Sequence, residues 1–361
     1  MTQTPLIDPR SRRARDRARR RRRLRRQRAI AAAGALVALL VVALGAHSVM
    51  SAGRRTDATR PTRTTAAPAL PARSPLGLPL GRPPLRLRTS GAPAVNVALT
   101  SPPRGGVLVN LSSGQVLWSH DATTRMPIAS LTKMMTALLV VQHTTRAGRA
   151  LVTRAAVEQQ GSKVGELPLG RRVPVQALLA GLLLPSGNDA AIALAQDVAG
   201  TIPRFVAMMN ARAAALGMAC TRYAFPSGFV DTDNYSCADD LAELASVDIR
   251  QPRIEAFSRL ATVAVPFPIK GGRLFLNNNN PLVLAGYPGI TGLKTGYTLA
   301  AGECLVATAR RDGVSLAVVL LHSPNPALQA KALLDAGFAA ISQQHRRDRS
   351  STAPTPTAAK E

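Results

Sequence analysis

"GITGLKTGYTLAAGECLVATARRDGVSLAVVLL", Gly289 to Leu321, reads as three β-strands: one over Gly292 to Thr298 and two within Glu303 to Leu321, joined by a tight turn at Arg311, Asp312 and Gly313. "NPALQAKALLDAGFAAI", Asn325 to Ile341, follows with the spacing of an amphipathic helix. Far upstream, "GVLVNLSSGQVLWSH", Gly106 to His120, is a second hairpin pattern turning at Ser-Ser-Gly. Between them the apolar period is helical at Leu131 to Gln142, Val175 to Leu184, Ala190 to Val198, Ile202 to Leu216 and Ala238 to Ser246. Strands at both ends with helices between predict an α+β domain whose sheet joins its two termini.

The rest of the chain is of different composition. The chain has 361 residues and a formal net charge of +26, but residues 1–28 alone hold 13 Arg against 2 Asp. Residues 29–46 carry no charge and would span ~27 Å as a helix, close to the hydrocarbon thickness of a bilayer. The Arg block before this segment keeps that flank cytoplasmic, so the expected arrangement is a transmembrane anchor or signal at 29–50, uncleaved on balance, with all that follows outside the cell membrane. That placement also argues against nucleic acid as a partner of the Arg block. Residues 51–93 are rich in Pro, Thr, Ala and Arg without apolar period and read as an extended linker. A single domain over 94–343 and a disordered tail over 344–361 complete the division. Cys220, Cys237 and Cys304 lack the spacing of a zinc site; a Cys220–Cys237 bridge is open to them, although small buried hydrophobes is the reading their odd number favours.

Three short stretches carry chemistry. In "MPIASLTKMMTALLVV", Met126 to Val141, a serine and a lysine three residues apart open an apolar helix, so Ser130 and Lys133 share a face. No histidine of the domain sits in a motif, and a lysine entering an apolar helix has its pKa lowered enough to act as a base. In "LLLPSGNDAAIALA", Leu182 to Ala195, Ser186, Gly187 and Asn188 form a polar turn between two apolar helices. In the strand Gly292 to Thr298, Lys294 and Thr295 stand beside Gly296, where no side chain blocks approach. A cation and a hydroxyl there make a receptor for a carboxylate-ended peptide lying along a strand edge.

In this order the motifs resemble those of the serine D-alanyl-D-alanine carboxypeptidases, the low-molecular-mass penicillin-binding proteins. "MNARAAALGM", "YSCADDLAELA", "NNNNPLV" and "LLDAGF" are similar to that family as well. The resemblance implies the penicillin-binding-protein and serine β-lactamase fold, an antiparallel sheet with flanking helices and an all-helical subdomain. It implies Ser130 as nucleophile, Lys133 as its general base, Ser186 as proton relay and Asn188 as a holder of Lys133 and of the substrate amide. Lys294 and Thr295 would bind the terminal carboxylate beside Gly296, and the N–H groups of Ser130 and Tyr297 would form an oxyanion hole, worth about 3 kcal/mol per donor.

The expected substrate is a peptidoglycan stem peptide ending in D-Ala-D-Ala, with β-lactams as covalent inhibitors and no metal or organic cofactor. The chain lacks a glutamate between Asn188 and Ala242, where a class A β-lactamase would carry its deacylating base, so penicillin is expected to stay bound. DD-endopeptidase action on cross-links uses the same residues, and a non-catalytic penicillin-sensing wall-binding protein is the further alternative. The family's Asn-Pro-x-Gly-Leu stretch is here Phe225, Pro226, Ser227, Gly228 and Phe229, a departure expected to affect local loop packing only.

Overall fold

A computed structural model describes Leu85, Leu87, Arg88 and residues 95–165, 167–230 and 232–351. The Arg block, the apolar segment, most of the linker and the end of the tail lie outside the described residues.

The chain enters through the hairpin β1 (Gly105–Asn110) and β2 (Val116–His120), then the two-residue strand β3 (Met126–Pro127) and a 3-10 turn at Ala129–Leu131. There follow α1 (Thr132–His143), β4 (Arg149–Leu151), α2 (Arg154–Val157), β5 (Arg172–Pro174), α3 (Val175–Leu183), α4 (Asn188–Ala199) and α5 (Ile202–Ala215). After β6 (Tyr235–Ser236) come α6 (Ala238–Asp248), α7 (Pro252–Ser258), the hairpin β7 (Thr262–Pro266) and β8 (Arg273–Asn277), and α8 (Pro281–Leu284). β9 (Ile290–Thr298), β10 (Gly302–Arg311), β11 (Val314–Leu321) and α9 (Pro326–Ser351) close the domain.

The main sheet is antiparallel in the order β2-β1-β11-β10-β9. It joins the two ends of the domain, as the two separated strand patterns predict, because β1 pairs with β11 along its whole length from Gly105 opposite Leu321 to Asn110 opposite Leu316. Side chains alternate across a strand, and β11 shows what that does here. Leu316, Val318 and Leu320 pack against α9 through Leu333, Leu334 and Phe338. Ala317, Val319 and Leu321 face the helices on the other side, with Leu138 and Leu241. α1 is buried from Thr132 to Gln142, so it is apolar all round because neighbours surround it.

Two expectations change at the domain's edges. Leu85 and Leu87 pack against the core, and Arg88 pairs with the start of β2, its N–H donating to the carbonyl of Gly114 at 2.8 Å. The folded part therefore begins before residue 94, inside the stretch read as linker, because Leu85 and Leu87 find apolar surface. Cys220 and Cys237 form a disulfide with Cα atoms 5.7 Å apart, which corrects the preference for small buried hydrophobes. Cys304 alone is a buried thiol. Among the described residues no helix is long and apolar enough to cross a membrane.

Candidate active site

The site is where the 3-10 turn, the α3–α4 turn and β9 meet. Ser130 lies in the turn, and Lys133 follows one helical step later with its side chain fully buried. The residue before the serine, Ala129, is held at φ +47°, and Ser186 at φ +68°, conformations that cost a non-glycine residue about 1–3 kcal/mol and gather at functional sites.

Lys133 Nζ has three neighbours: Ser130 Oγ at 2.8 Å, Asn188 Oδ1 at 2.7 Å and the carbonyl of Ser227 at 2.6 Å. Two of the three can only accept. Ser227 offers a carbonyl, and the Asn188 amide is fixed in its orientation because its Nδ2 donates to the carbonyl of Gln160 at 2.6 Å. A neutral amine has two hydrogens and one lone pair. With both hydrogens committed to carbonyls, the lone pair points at the Ser130 hydroxyl, which then donates to it. The surroundings also shift the balance toward the neutral state. Burial pushes the lysine well below its ordinary pKa, the positive charge of Lys294 pushes it further, and only Asp189 pulls the other way.

Asp189 does structural work at the same turn. Its carboxylate accepts from the N–H groups of Val164 and Gly165 at 2.9 and 3.3 Å, tying the 160–165 loop to the start of α4. Ser162 also fixes that loop, its carbonyl accepting from Asn188 N–H at 2.7 Å. Ser186 Oγ is buried and has no hydrogen-bond partner among the described residues, yet it lines the cleft. Such a hydroxyl is satisfied when a ligand brings the missing partner.

β9 supplies the third wall and is the last strand of the sheet, so one edge of it pairs with no strand among the described residues. Lys294 is buried, its Nζ donating to the carbonyl of Thr295 at 2.8 Å, and burial lowers its pKa to about 7. Gly296 is needed for space: a β-carbon there would stand 3.0 Å from both Ser130 N and the Ile128 carbonyl oxygen. Tyr297 is exposed at the rim. Ser130, Ser186, Thr295, Gly296 and Tyr297 line one open cleft of about 380 Å³, with Lys133, Asn188 and Lys294 buried at its walls.

All eight residues singled out in the sequence thus gather around one cleft. Sequence reasoning missed the Ser227 carbonyl, and the 225–229 loop is more than packing. Thr136 Oγ1 donates to the Pro226 carbonyl at 2.7 Å, and Gly228, at φ +67°, lies where a β-carbon would overlap the Ala129 carbonyl oxygen. These contacts to the surroundings of Lys133 come from Pro226, Ser227 and Gly228, which keep the family pattern; of the two departures, Phe225 and Phe229, the ring of Phe229 packs over Gly161. A carbonyl ligand carries no residue-type signature; the Ser-Gly pair at 227–228 was the readable trace. The Gln160 carbonyl escaped for the same reason.

Geometry and comparison point the same way. The sequence model of the D-alanyl-D-alanine carboxypeptidases matches residues 99–325. The chain is 34% identical over 247 residues to a D-alanyl-D-alanine carboxypeptidase of Mycobacterium tuberculosis, covering 66% of this chain and 83% of that one. A Bacillus subtilis enzyme of the same name is 28% identical over 242 residues, 65% of this chain, and the chain spans only 62% of its length. Among solved structures, a Streptomyces K15 DD-transpeptidase variant superposes with a TM-score of 0.62 at 29% identity, over 67% of this chain and 100% of that one. With the family's three motifs assembled in one cleft and the match running through more than half its length, this chain belongs to the D-alanyl-D-alanine carboxypeptidase family.

Proposed function

We infer that this protein is a serine-type DD-carboxypeptidase that removes the terminal D-Ala from peptidoglycan stem peptides. The observation that carries the reading is the buried Lys133, its Nζ 2.8 Å from Ser130 Oγ and held in place by the Asn188 and Ser227 carbonyl oxygens. In this reading Lys133 takes the Ser130 proton as Oγ attacks the carbonyl of the penultimate D-Ala, forming a tetrahedral intermediate. The N–H groups of Ser130 and Tyr297 hold its oxyanion. Ser186, with its free hydroxyl, passes a proton to the departing D-Ala amine, and the acyl-enzyme is released by water. Lys294 and Thr295 hold the terminal carboxylate, and Asn188 steadies both Lys133 and the peptide amide. β-Lactams enter the same site and leave Ser130 acylated.

The working position is the outer face of the cell membrane, held there by the apolar segment at 29–50. The support is the sequence order of Arg block, apolar segment and Pro-rich linker, together with a substrate that belongs to the wall.

The test uses the full chain in detergent, a peptide ending in D-Ala-D-Ala, and penicillin, following D-Ala release and intact mass. Expected are release of one D-Ala and a penicilloyl adduct, both abolished in Ser130→Ala. An adduct without release would favour the endopeptidase or sensor; neither signal would sink the reading, and turnover by Ser130→Ala would remove Ser130 as nucleophile.

A further inference from the structure

Besides Lys133 and Lys294, buried behind its walls, the cleft has one charged side chain on its lining among the described residues, Glu303 on β10. It is exposed, and its carboxylate has no ion pair or hydrogen bond among the described residues. The nearby start of α9 does not need it, because Asn325 Oδ1 accepts from the N–H of Leu328 at 3.2 Å and caps that helix. An unpaired carboxylate facing a substrate cleft therefore has no structural task.

Its place along the sheet gives it one. Glu303 stands opposite Tyr297 in the β9–β10 register, and directly paired residues project on the same face with Cβ atoms about 5 Å apart. Along β9 the proposed carboxylate anchor is at Lys294 and Thr295, and Gly296 faces Ser130 N, which a β-carbon there would approach to 3.0 Å. A substrate aligned by those two points must continue, on the side of the scissile bond away from its carboxylate, toward Tyr297 and Thr298. With the scissile carbonyl at the Tyr297 N–H, an extended chain advancing about 3.3 Å per residue places the residue before the two terminal alanines one step beyond Tyr297, level with Thr298 and within a long side chain's reach of Glu303.

We propose that Glu303 is a specificity residue that recognises a free, cationic side-chain amine on the residue preceding D-Ala-D-Ala. This rests on the carboxypeptidase reading and adds a choice among its substrates: a stem whose amine has been consumed in a cross-link presents a neutral amide and loses the attraction, so uncross-linked stems are preferred.

The experiment uses the full chain in detergent and two peptides, Nα-acetyl-L-Lys-D-Ala-D-Ala with its side-chain amine free and the same peptide acetylated on both amines. The readout is the ratio of their kcat/KM values for D-Ala release. The wild type is expected to favour the free amine about fivefold, in line with an exposed ion pair, and added salt is expected to shrink the preference. Glu303→Gln should bring the ratio to about one and Glu303→Lys should invert it; a ratio cancels any effect of the substitution common to both peptides. A wild-type ratio of one, or an unchanged ratio in Glu303→Gln, overturns the inference while leaving the carboxypeptidase reading intact. Release from neither peptide overturns both.

Discussion

Gly228 is pressed against Ala129, the residue before the proposed nucleophile, so closely that a β-carbon at 228 would overlap the Ala129 carbonyl oxygen and crowd Thr132 Oγ1. With φ at +67° it also occupies a conformation open to glycine at little cost. Gly228→Ala is therefore expected to lower stability by about 2–4 kcal/mol, combining overpacking with backbone strain. It should also slow penicillin acylation at least tenfold by displacing the serine turn. Thermal unfolding and stopped-flow acylation check the two effects; a variant with wild-type acylation would show that the 225–229 loop does not position Ser130.

Asn188 offers a test of proton ownership. Asn188→Asp keeps the shape but places a negative oxygen on Lys133, favouring the ammonium form, and removes the donor to the Gln160 carbonyl. Acylation at pH 7 is expected to fall at least a hundredfold and the acid limb of its pH profile to move upward. A profile that merely drops without moving would mean that Asn188 orients substrate and leaves the Lys133 proton alone.

The two buried lysines should give opposite limbs to the pH dependence of D-Ala release. Lys133 must be neutral, so activity rises as pH climbs through its lowered pKa. Lys294 must be charged to hold the carboxylate, and burial lowers it to about 7, so kcat/KM should fall above that pH. In kcat the falling limb is expected at higher pH, because a bound carboxylate beside Lys294 favours its proton. Lys294→Arg, which stays charged, should remove the falling limb. A wild-type kcat/KM still rising at pH 9 would exclude Lys294 as a titrating anchor.

The Cys220–Cys237 bridge closes a ring of chain that contains Ser227 and Gly228. Replacing both cysteines by alanine is expected to cost about 3 kcal/mol, the order for a loop of this length. Because the ring holds an acceptor for Lys133, acylation should slow as well, and reducing agent should reproduce both losses in the wild type. Acylation unaffected by reduction would confine the bridge to stability.

What the sequence made legible was what depends on residue type and period. The long helices and the three closing strands announce themselves through apolar spacing, and Ser130 with Lys133 through their position on one helix face. The short pairings β3 with β6 and β4 with β5 do not, because two or three residues carry no period. The β7–β8 hairpin was also missed: Pro266 and Pro268 interrupt the run, and Phe275 faces outward, 75% exposed. The disulfide joins cysteines 17 residues apart through tertiary folding, which an odd count of three disguised.

β9 has one further consequence. An edge strand reads a partner through backbone groups, and alternate side chains of an extended partner point away from it. Gly296 contributes no side chain at the point nearest Ser130, and the charge of Lys294 sits just before it. Recognition of this kind separates the end of a chain from its middle far better than it separates one sequence from another. Residues well upstream of the terminus can vary without being noticed, while amidating the terminal carboxylate should abolish recognition whatever precedes it.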